Sequence, residues 1–374
     1  MSARHLYVHL PFCAHRCGYC DFVTAVGRVD QHDAYVDALL AELELERELL
    51  ATAPETVFLG GGTPTFTQPR ALERLLRALP DADEMTVEAN PETITQEVAR
   101  LLRTLGVNRV SLGVQSFRPH LLDVLERVAR PDTVRRAFYH LRDAGFDNIS
   151  FDLIYGIPGQ GTTDLEADLA AALELGPEHL SCYELEAKPG TRFTHAHGRE
   201  LAEQADAMEE YFELVVECLT SHGYRWYETA NFCRLPDCDD RRDLRSRHNL
   251  AYWLGRDYLG LGVGAVSTVE GRRWRNTPRL RAYIRSLEQG ERPMREVEPL
   301  SDDVVRRERV MLGLRLDQPL PMAGLAEVID DAALARLRRL GLVSEEREDL
   351  APDMLSLTSR GRLLGGGVTA DLLA

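Results

Sequence analysis

Cys13, Cys17 and Cys20 stand in a C-x3-C-x2-C array within YVHLPFCAHRCGYCDF, Tyr7 to Phe22, directly behind a short apolar strand pattern. Three thiolates on one tight loop can hold three irons of a [4Fe–4S] cluster and leave the fourth iron open to a small-molecule ligand. A closed structural site supplies four protein ligands instead. A zinc knuckle would need another Cys or His nearby, and His15 lies inside the loop at a poor spacing for closing a tetrahedron. The array therefore points to an iron–sulfur centre with one open coordination position.

Such a loop needs a scaffold, and the periodicity supplies one. His5 to Leu10 reads as a buried strand, followed by the cysteine loop and a helix from about Asp33 to Leu50. The unit then repeats: strand Thr56 to Leu59 with helix Arg70 to Leu79, Met85 to Glu88 with Thr95 to Leu105, and Arg109 to Gly113 with Pro119 to Leu125 and Asp132 to Ala144. Ile149 to Tyr155 leads to Thr162 to Leu175, and His179 to Leu185 leads to a long helix, Leu201 to His222. Six β/α units in series predict parallel strands, right-handed crossovers and an active face at the C-terminal strand ends. The expected fold is α/β: an incomplete, six-stranded (β/α)6 TIM-like barrel followed by a small α+β winged-helix-like C-terminal domain. The boundaries read from composition are 1–223 for the partial barrel, 224–299 for a mixed segment covering it, and 300–374 for the C-terminal domain. YRWYETANF is expected as one strand, Met322 to Val328 as a helix, and GLVSEEREDLAPDMLSLT as a hairpin.

A chain of 374 residues with 44% hydrophobic and 28% charged content has the material for a large core. Its net charge of −16 argues against a duplex nucleic-acid surface, which draws on clustered Lys and Arg. Lys188 is the sole lysine, and nothing functional follows from that. No signal-peptide pattern opens the chain and no run approaches a membrane span, so a cytoplasmic protein is expected. Seven cysteines, an odd count, fit a reducing compartment better than a disulfide framework. Cys182 and Cys218 read as core, and Cys233 and Cys238, at C-x4-C spacing, as incidental thiols on a polar loop.

Further residues with chemical potential fall where the strands end. Gly60-Gly61-Gly62-Thr63-Pro64 follows the second strand, and successive glycines let the backbone itself approach a ligand. Glu88 ends the third strand, where a carboxylate can accept both hydroxyl hydrogens of a ribose. Tyr7 and His9, two apart on the first strand, point to one face.

The cysteine array, with Tyr19 between its second and third members, resembles the radical S-adenosylmethionine superfamily. In that superfamily the cofactor's amino and carboxylate groups bind the open iron, and an electron from the cluster cleaves the sulfonium. The resemblance implies that Gly61, Gly62 and Thr63 receive the cofactor's methionine amino group. It also implies that Tyr7, Tyr19, Glu88, Gln115, Arg127 and Asp152 are near or in contact with the cofactor. YVHLPFC, GGGTPT, VEANP, SLGVQSF and DLIYGIPGQ together look like the coproporphyrinogen III dehydrogenase branch, the HemN-like proteins, over nearly the whole chain.

Two features set this chain apart from the dehydrogenase, which carries a further cysteine where Phe22 stands here and has a longer N-terminal extension. The haem-chaperone branch, HemW, has Phe at that position and an H-N-x-x-Y-W stretch, present as His248-Asn249-Leu250-Ala251-Tyr252-Trp253. The implied partners are haem and a haem-acceptor protein, with peripheral contact to membrane haemoproteins and no nucleic acid. A neutral imidazole is a good axial ligand and flat aromatic rings cover a porphyrin face, which nominates His248. A structural, hydrogen-bonded histidine is the competing reading of the same residue. The enzyme alternative is oxygen-independent decarboxylation of coproporphyrinogen III, and a third class is a cluster-bearing regulatory protein.

Overall fold

The computed structural model describes residues 2–188, 192–235, 242–344 and 354–373. β1 (His5–Leu10) runs into a short parallel pair, β2 (Phe12–Cys13) and β3 (Ala25–Val26), which brackets the cysteine loop before α1 (His32–Leu45). The β/α series continues with β4 (Thr56–Gly61) and α2 (Pro69–Ala78), then β5 (Glu84–Ala89) and α3 (Gln96–Thr104). Next come β6 (Arg109–Gln115) with α4 (Pro119–Val124) and α5 (Pro131–Asp143), then β7 (Ile149–Tyr155) with α6 (Thr162–Leu175). β8 (His179–Glu184) is followed by α7 (Arg192–Gln204) and α8 (Met208–Ser221).

The remaining elements are β9 (Tyr224–Glu228), β10 (Asn231–Arg234), α9 (Arg247–Trp253), β11 (Leu259–Leu261), β12 (Val266–Val269), β13 (Arg272–Asn276), α10 (Leu280–Glu288), β14 (Arg295–Pro299) and α11 (Asp302–Gly313). One nine-stranded sheet has the order β11-β1-β4-β5-β6-β7-β8-β10-β9. The six series strands pair parallel in chain order, as the periodicity predicts. β11 adds a parallel strand beside β1, and β10 and β9 add an antiparallel ribbon beside β8. β12, β13 and β14 form a separate antiparallel sheet.

Each series strand alternates between two environments, because successive side chains point to opposite faces. Leu6, Val8 and Leu10, Met85 and Val87, Val110, Leu112 and Val114, and Ile149, Phe151 and Leu153 join one apolar core. The alternate residues are mostly polar, and several of them pair with one another across the strands. Ser111 Oγ donates to Asp152 at 3.1 Å, Ser150 Oγ meets His179 Nδ1 at 2.8 Å, and Ser181 Oγ donates to Asn231 Oδ1 at 3.0 Å. One face of the sheet therefore supplies stability, at roughly 1.5–3 kcal/mol per fully buried large apolar side chain. The other supplies polar groups for the site.

Local sequence effects explain four departures from expectation. The long helix is two, α7 and α8, joined by a 3-10 turn at Ala205–Ala207. Gln204 Nε2 and Tyr211 OH both donate to the Gln160 carbonyl, at 3.0 and 2.7 Å, and that shared anchor fixes the bend. YRWYETANF is not one strand but two, β9 and β10, because buried Glu228 takes the Ala230 N–H and the Asn231 side-chain amide and holds a turn between them. Met322 to Val328 is helical only as a 3-10 turn at Ala326–Val328, since Gly324 sits at φ +76°. Of the expected hairpin, Val343 pairs with Leu357, and residues 345–353 between them lie outside the described residues. Beyond the main core, Val310, Leu314, Leu320, Leu334, Leu337 and Leu355 form a second apolar cluster. No helix among the described residues is long and apolar enough to cross a membrane.

Candidate functional site

The cysteine loop is tied at both ends to the strand edge. Ala25 N–H donates to the Pro11 carbonyl at 2.7 Å and Gly27 N–H to that of Cys13 at 3.0 Å, while Cys20 N–H closes a turn onto Cys17 at 3.2 Å. His9 adds a brace: its Nε2 lies 2.8 Å from the Val23 carbonyl and its Nδ1 3.0 Å from Tyr7 OH. A carbonyl can only accept, so Nε2 carries the proton and the Tyr7 hydroxyl donates to Nδ1.

All three loop thiols are free, Cys13 buried and Cys17 and Cys20 half-buried. Burial pushes the Cys13 thiol up to about 11 and raises Cys20 as well. Each of two thiols has a donor aimed at its sulfur: Thr63 Oγ1 to Cys13 at 3.6 Å, and Arg127 Nη1 to Cys17 at 3.7 Å. Gly62 leaves the room they need, since a Cβ there would stand 2.9 Å from Cys13 Sγ. Among the described residues no three His, Cys, Asp or Glu side chains converge as a single metal ion requires. A four-iron cluster makes no such demand, because each thiolate takes its own iron. Three unpaired soft donors on one loop, with hydrogen-bond donors behind two sulfurs, fit that group.

Of the other strand-end residues, Gly62 and Thr63 meet the loop at Cys13. Gly61, at φ +111°, donates its N–H to Glu88 Oε2 at 3.1 Å, and a Cβ there would strike the His9 ring at 2.6 Å. Burial, with Asp152 adding like charge, pushes the Glu88 carboxyl up to about 8. Burial also raises Asp152, although Ser111 donates to it. Gln115 ends β6 at φ +67°, where the β6–β7 register shifts, a left-handed conformation that costs roughly 1–2 kcal/mol. Arg127 follows α4, is buried, and also donates to Asn90 Oδ1 and the Gly113 carbonyl, both at 2.8 Å. Tyr19 packs edge-on against Phe193 with ring centroids 6.4 Å apart.

A family model described as the Radical SAM superfamily matches residues 7–172. The haem chaperone HemW of Mycobacterium tuberculosis strain H37Rv is 37% identical, with 98% of this chain and 94% of that one aligned. This chain belongs to the HemW family. The HemW of Bacillus subtilis is 33% identical over 97% of both chains, and that of Escherichia coli 36% identical over 73% of this chain and 72% of its own. Coproporphyrinogen III oxidase, HemN, from Escherichia coli superposes with a TM-score of 0.82 at 26% identity, covering 100% of this chain and 91% of that one. Membership of the radical SAM superfamily implies an iron–sulfur cluster and S-adenosylmethionine for a HemW-family chain.

His248 departs from its nominated role. It is 1% exposed, its Nδ1 lies 2.7 Å from Thr56 Oγ1, its Nε2 lies 3.0 Å from Tyr252 OH, and its ring stacks on Phe58. Burial, with His5 and Arg109 nearby, lowers it to about 3, so it is neutral, but neither nitrogen is open to an iron. In this arrangement the HNxxYW stretch of this HemW-family chain is a floor under the polar face. Glu84 accepts the Arg247 and His248 N–H groups at 3.1 Å each, and Trp253 faces Arg315 outside it. Cys233 is buried among Tyr227, Leu244, Leu250 and Leu316, not on a polar loop; Cys238 lies outside the described residues. Sequence reasoning missed Asn90, which touches both Thr63 and Arg127. Its only signal was its place in VEANP, one residue past the strand end.

Proposed function

We propose that this protein is a haem chaperone that carries a [4Fe–4S] cluster on Cys13, Cys17 and Cys20, binds S-adenosylmethionine beside it, takes up haem and hands it to an acceptor haemoprotein. The observation that carries the cluster reading is the set of three free thiols with Thr63 and Arg127 donating to two of them. When bound, the cluster supplies an electron to the sulfonium of S-adenosylmethionine. The protein's own part is to bind and orient. Gly61, Gly62 and Thr63 offer backbone with little side-chain bulk, Glu88 offers a carboxyl group whose oxygens can accept from ribose hydroxyls, and Tyr7, Tyr19, Gln115, Arg127 and Asp152 complete the pocket. The haem role is supported by the haem-chaperone relatives at up to 37% identity.

The same reading takes 1–223 as a partial barrel, 224–299 as its covering segment, 300–374 as a winged-helix-like module, and the cytoplasm as the compartment, with access to membrane haemoproteins from that side. The dehydrogenase alternative is disfavoured by Phe22, 65% exposed beside the cysteine loop where that enzyme carries cysteine. One anaerobic experiment tests the whole. Reconstitute the cluster, add haem or coproporphyrinogen III with S-adenosylmethionine and reductant, then measure stable haem binding, transfer to an apo-haemoprotein, and decarboxylation. Stoichiometric binding and transfer without protoporphyrinogen is the expected result; protoporphyrinogen formation, or no haem uptake, overturns the chaperone.

A further inference from the structure

Two thiols of the cysteine loop are linked through side chains of two strand ends, Thr63 after β4 and Asn90 after β5, and of Arg127 after α4. Thr63 Oγ1 lies 3.6 Å from Cys13 Sγ, Asn90 Nδ2 lies 2.9 Å from Thr63 Oγ1, Arg127 Nη2 lies 2.8 Å from Asn90 Oδ1, and Arg127 Nη1 lies 3.7 Å from Cys17 Sγ. The direction of every link is forced from the arginine end. A guanidinium only donates, so the Asn90 atom facing it must be the carbonyl oxygen. The amide NH2 therefore faces Thr63, and since it too only donates, the Thr63 oxygen must accept. That leaves the single hydroxyl hydrogen of Thr63 for Cys13 Sγ. The main-chain carbonyl of Asn90 accepts from Thr93 Oγ1 at 2.7 Å and the Gly113 carbonyl accepts from Arg127 Nη2 at 2.8 Å, which holds Asn90 and Arg127 in place.

We propose that Asn90 is a positioning residue for the cluster: it orients the Thr63 hydroxyl toward Cys13 and the Arg127 guanidinium toward Cys17, and so sets the hydrogen bonding that tunes the cluster's reduction potential. This inference rests on the cluster reading above. Hydrogen bonds to ligating sulfurs stabilise the more electron-rich, reduced state and raise the potential. Asn90 touches no sulfur. Its effect passes through Thr63 and Arg127, and that route is what the test isolates.

The near-isosteric change Asn90→Asp keeps an acceptor for Arg127 but offers Thr63 a second acceptor, which draws the hydroxyl hydrogen away from Cys13. Thr63→Val deletes that hydrogen outright with little change of shape. The reconstituted wild type, both single variants and the double variant are compared by anaerobic spectroelectrochemistry, with iron content and thermal unfolding alongside. Each single variant is expected to load four irons and to lower the reduction equilibrium constant roughly three- to tenfold, about 30–60 mV for one electron. In the Thr63→Val background the Asn90→Asp shift is expected to shrink to half or less, because the hydrogen it redirects is gone. A shift that persists in full there is a through-space effect of the added charge and overturns the relay, as does an unchanged potential in a fully loaded Asn90→Asp protein. Failure of the wild type itself to take up iron would instead overturn the cluster reading.

Discussion

Gly62→Ala is the sharpest test of how the loop is built, because the glycine is there for space and not for an unusual backbone angle. A Cβ at Gly62 would stand 2.6 Å from both the carbonyl carbon and the oxygen of Pro11, and 2.9 Å from Cys13 Sγ. Ordinary contact begins at 3.4 Å, so the Pro11 backbone must retreat by 3.4 − 2.6 = 0.8 Å and the sulfur by 3.4 − 2.9 = 0.5 Å. The backbone cannot retreat freely, since Gly62 N–H donates to the Leu10 carbonyl and Thr63 N–H to that of Phe12, both at 2.8 Å. Overpacking of this kind costs about 1–3 kcal/mol, and moving a ligand or its support typically costs 10- to 100-fold in metal affinity. Denaturant unfolding of the apo-protein reads the first and iron uptake on anaerobic reconstitution the second. Gly198→Ala, where a methyl meets nothing within 4 Å, is the control and should stay within about 1 kcal/mol of wild type. A Gly62→Ala protein with wild-type stability and a full iron complement would refute the reasoning.

Replacing Cys13, Cys17 or Cys20 singly by Ala should each prevent a four-iron complement, read by iron analysis and visible absorption; full loading in all three would remove the assignment. Glu88→Ala and Gln115→Ala should weaken S-adenosylmethionine binding by about 1–3 kcal/mol while leaving iron content intact, as titration calorimetry on reconstituted protein will measure. His248→Ala should lower stability by about 2–4 kcal/mol through lost packing and two hydrogen bonds, yet leave the Soret and visible bands of bound haem unchanged at matched loading. A changed spectrum would make His248 the iron ligand after all. Glu88 is an acid whose folded value, about 8, lies above its ordinary 4.5, so the folded state holds the proton more tightly. Its stabilising contribution is complete below 4.5 and is lost as pH rises through about 8, with a slope of at most about 1.4 kcal/mol per pH unit. Apo-protein unfolding followed across that window should lose this slope in Glu88→Gln, and an unaltered profile would contradict the burial argument.

The six parallel strands were legible because each is a short apolar run followed by a helix with its own period, and the cysteine loop declares itself by spacing. What stayed hidden was non-local. β11 is three residues in a glycine-rich stretch, and only its pairing with Leu6, Tyr7 and Val8 makes it a strand. His248 was read by its neighbours in sequence, Tyr252 and Trp253, whereas its environment is set by Thr56 and Phe58, about 190 residues away. The polar alternation in HLYVHL, EMTVEA and RVSLGVQ was present in the letters, yet buried strands are usually apolar on both faces, and that prior masked it.

The sheet order also sets a timetable for biosynthesis. β1 carries the cysteine loop, but one of its two neighbours, β11, lies at residues 259–261, after every other strand of the sheet has been made. At roughly 5–20 residues per second the ribosome needs on the order of 10–50 s to cover the interval. During that time β1 has an open edge, and the Tyr35 hydroxyl, which donates to the His9 carbonyl, still lacks the Val263 N–H that will donate to it in turn. The thiols are thus translated early, but the strand that carries them gains its second neighbour only once residue 261 has been made, which makes truncation before residue 259 a way to obtain the cysteine loop without its finished seat.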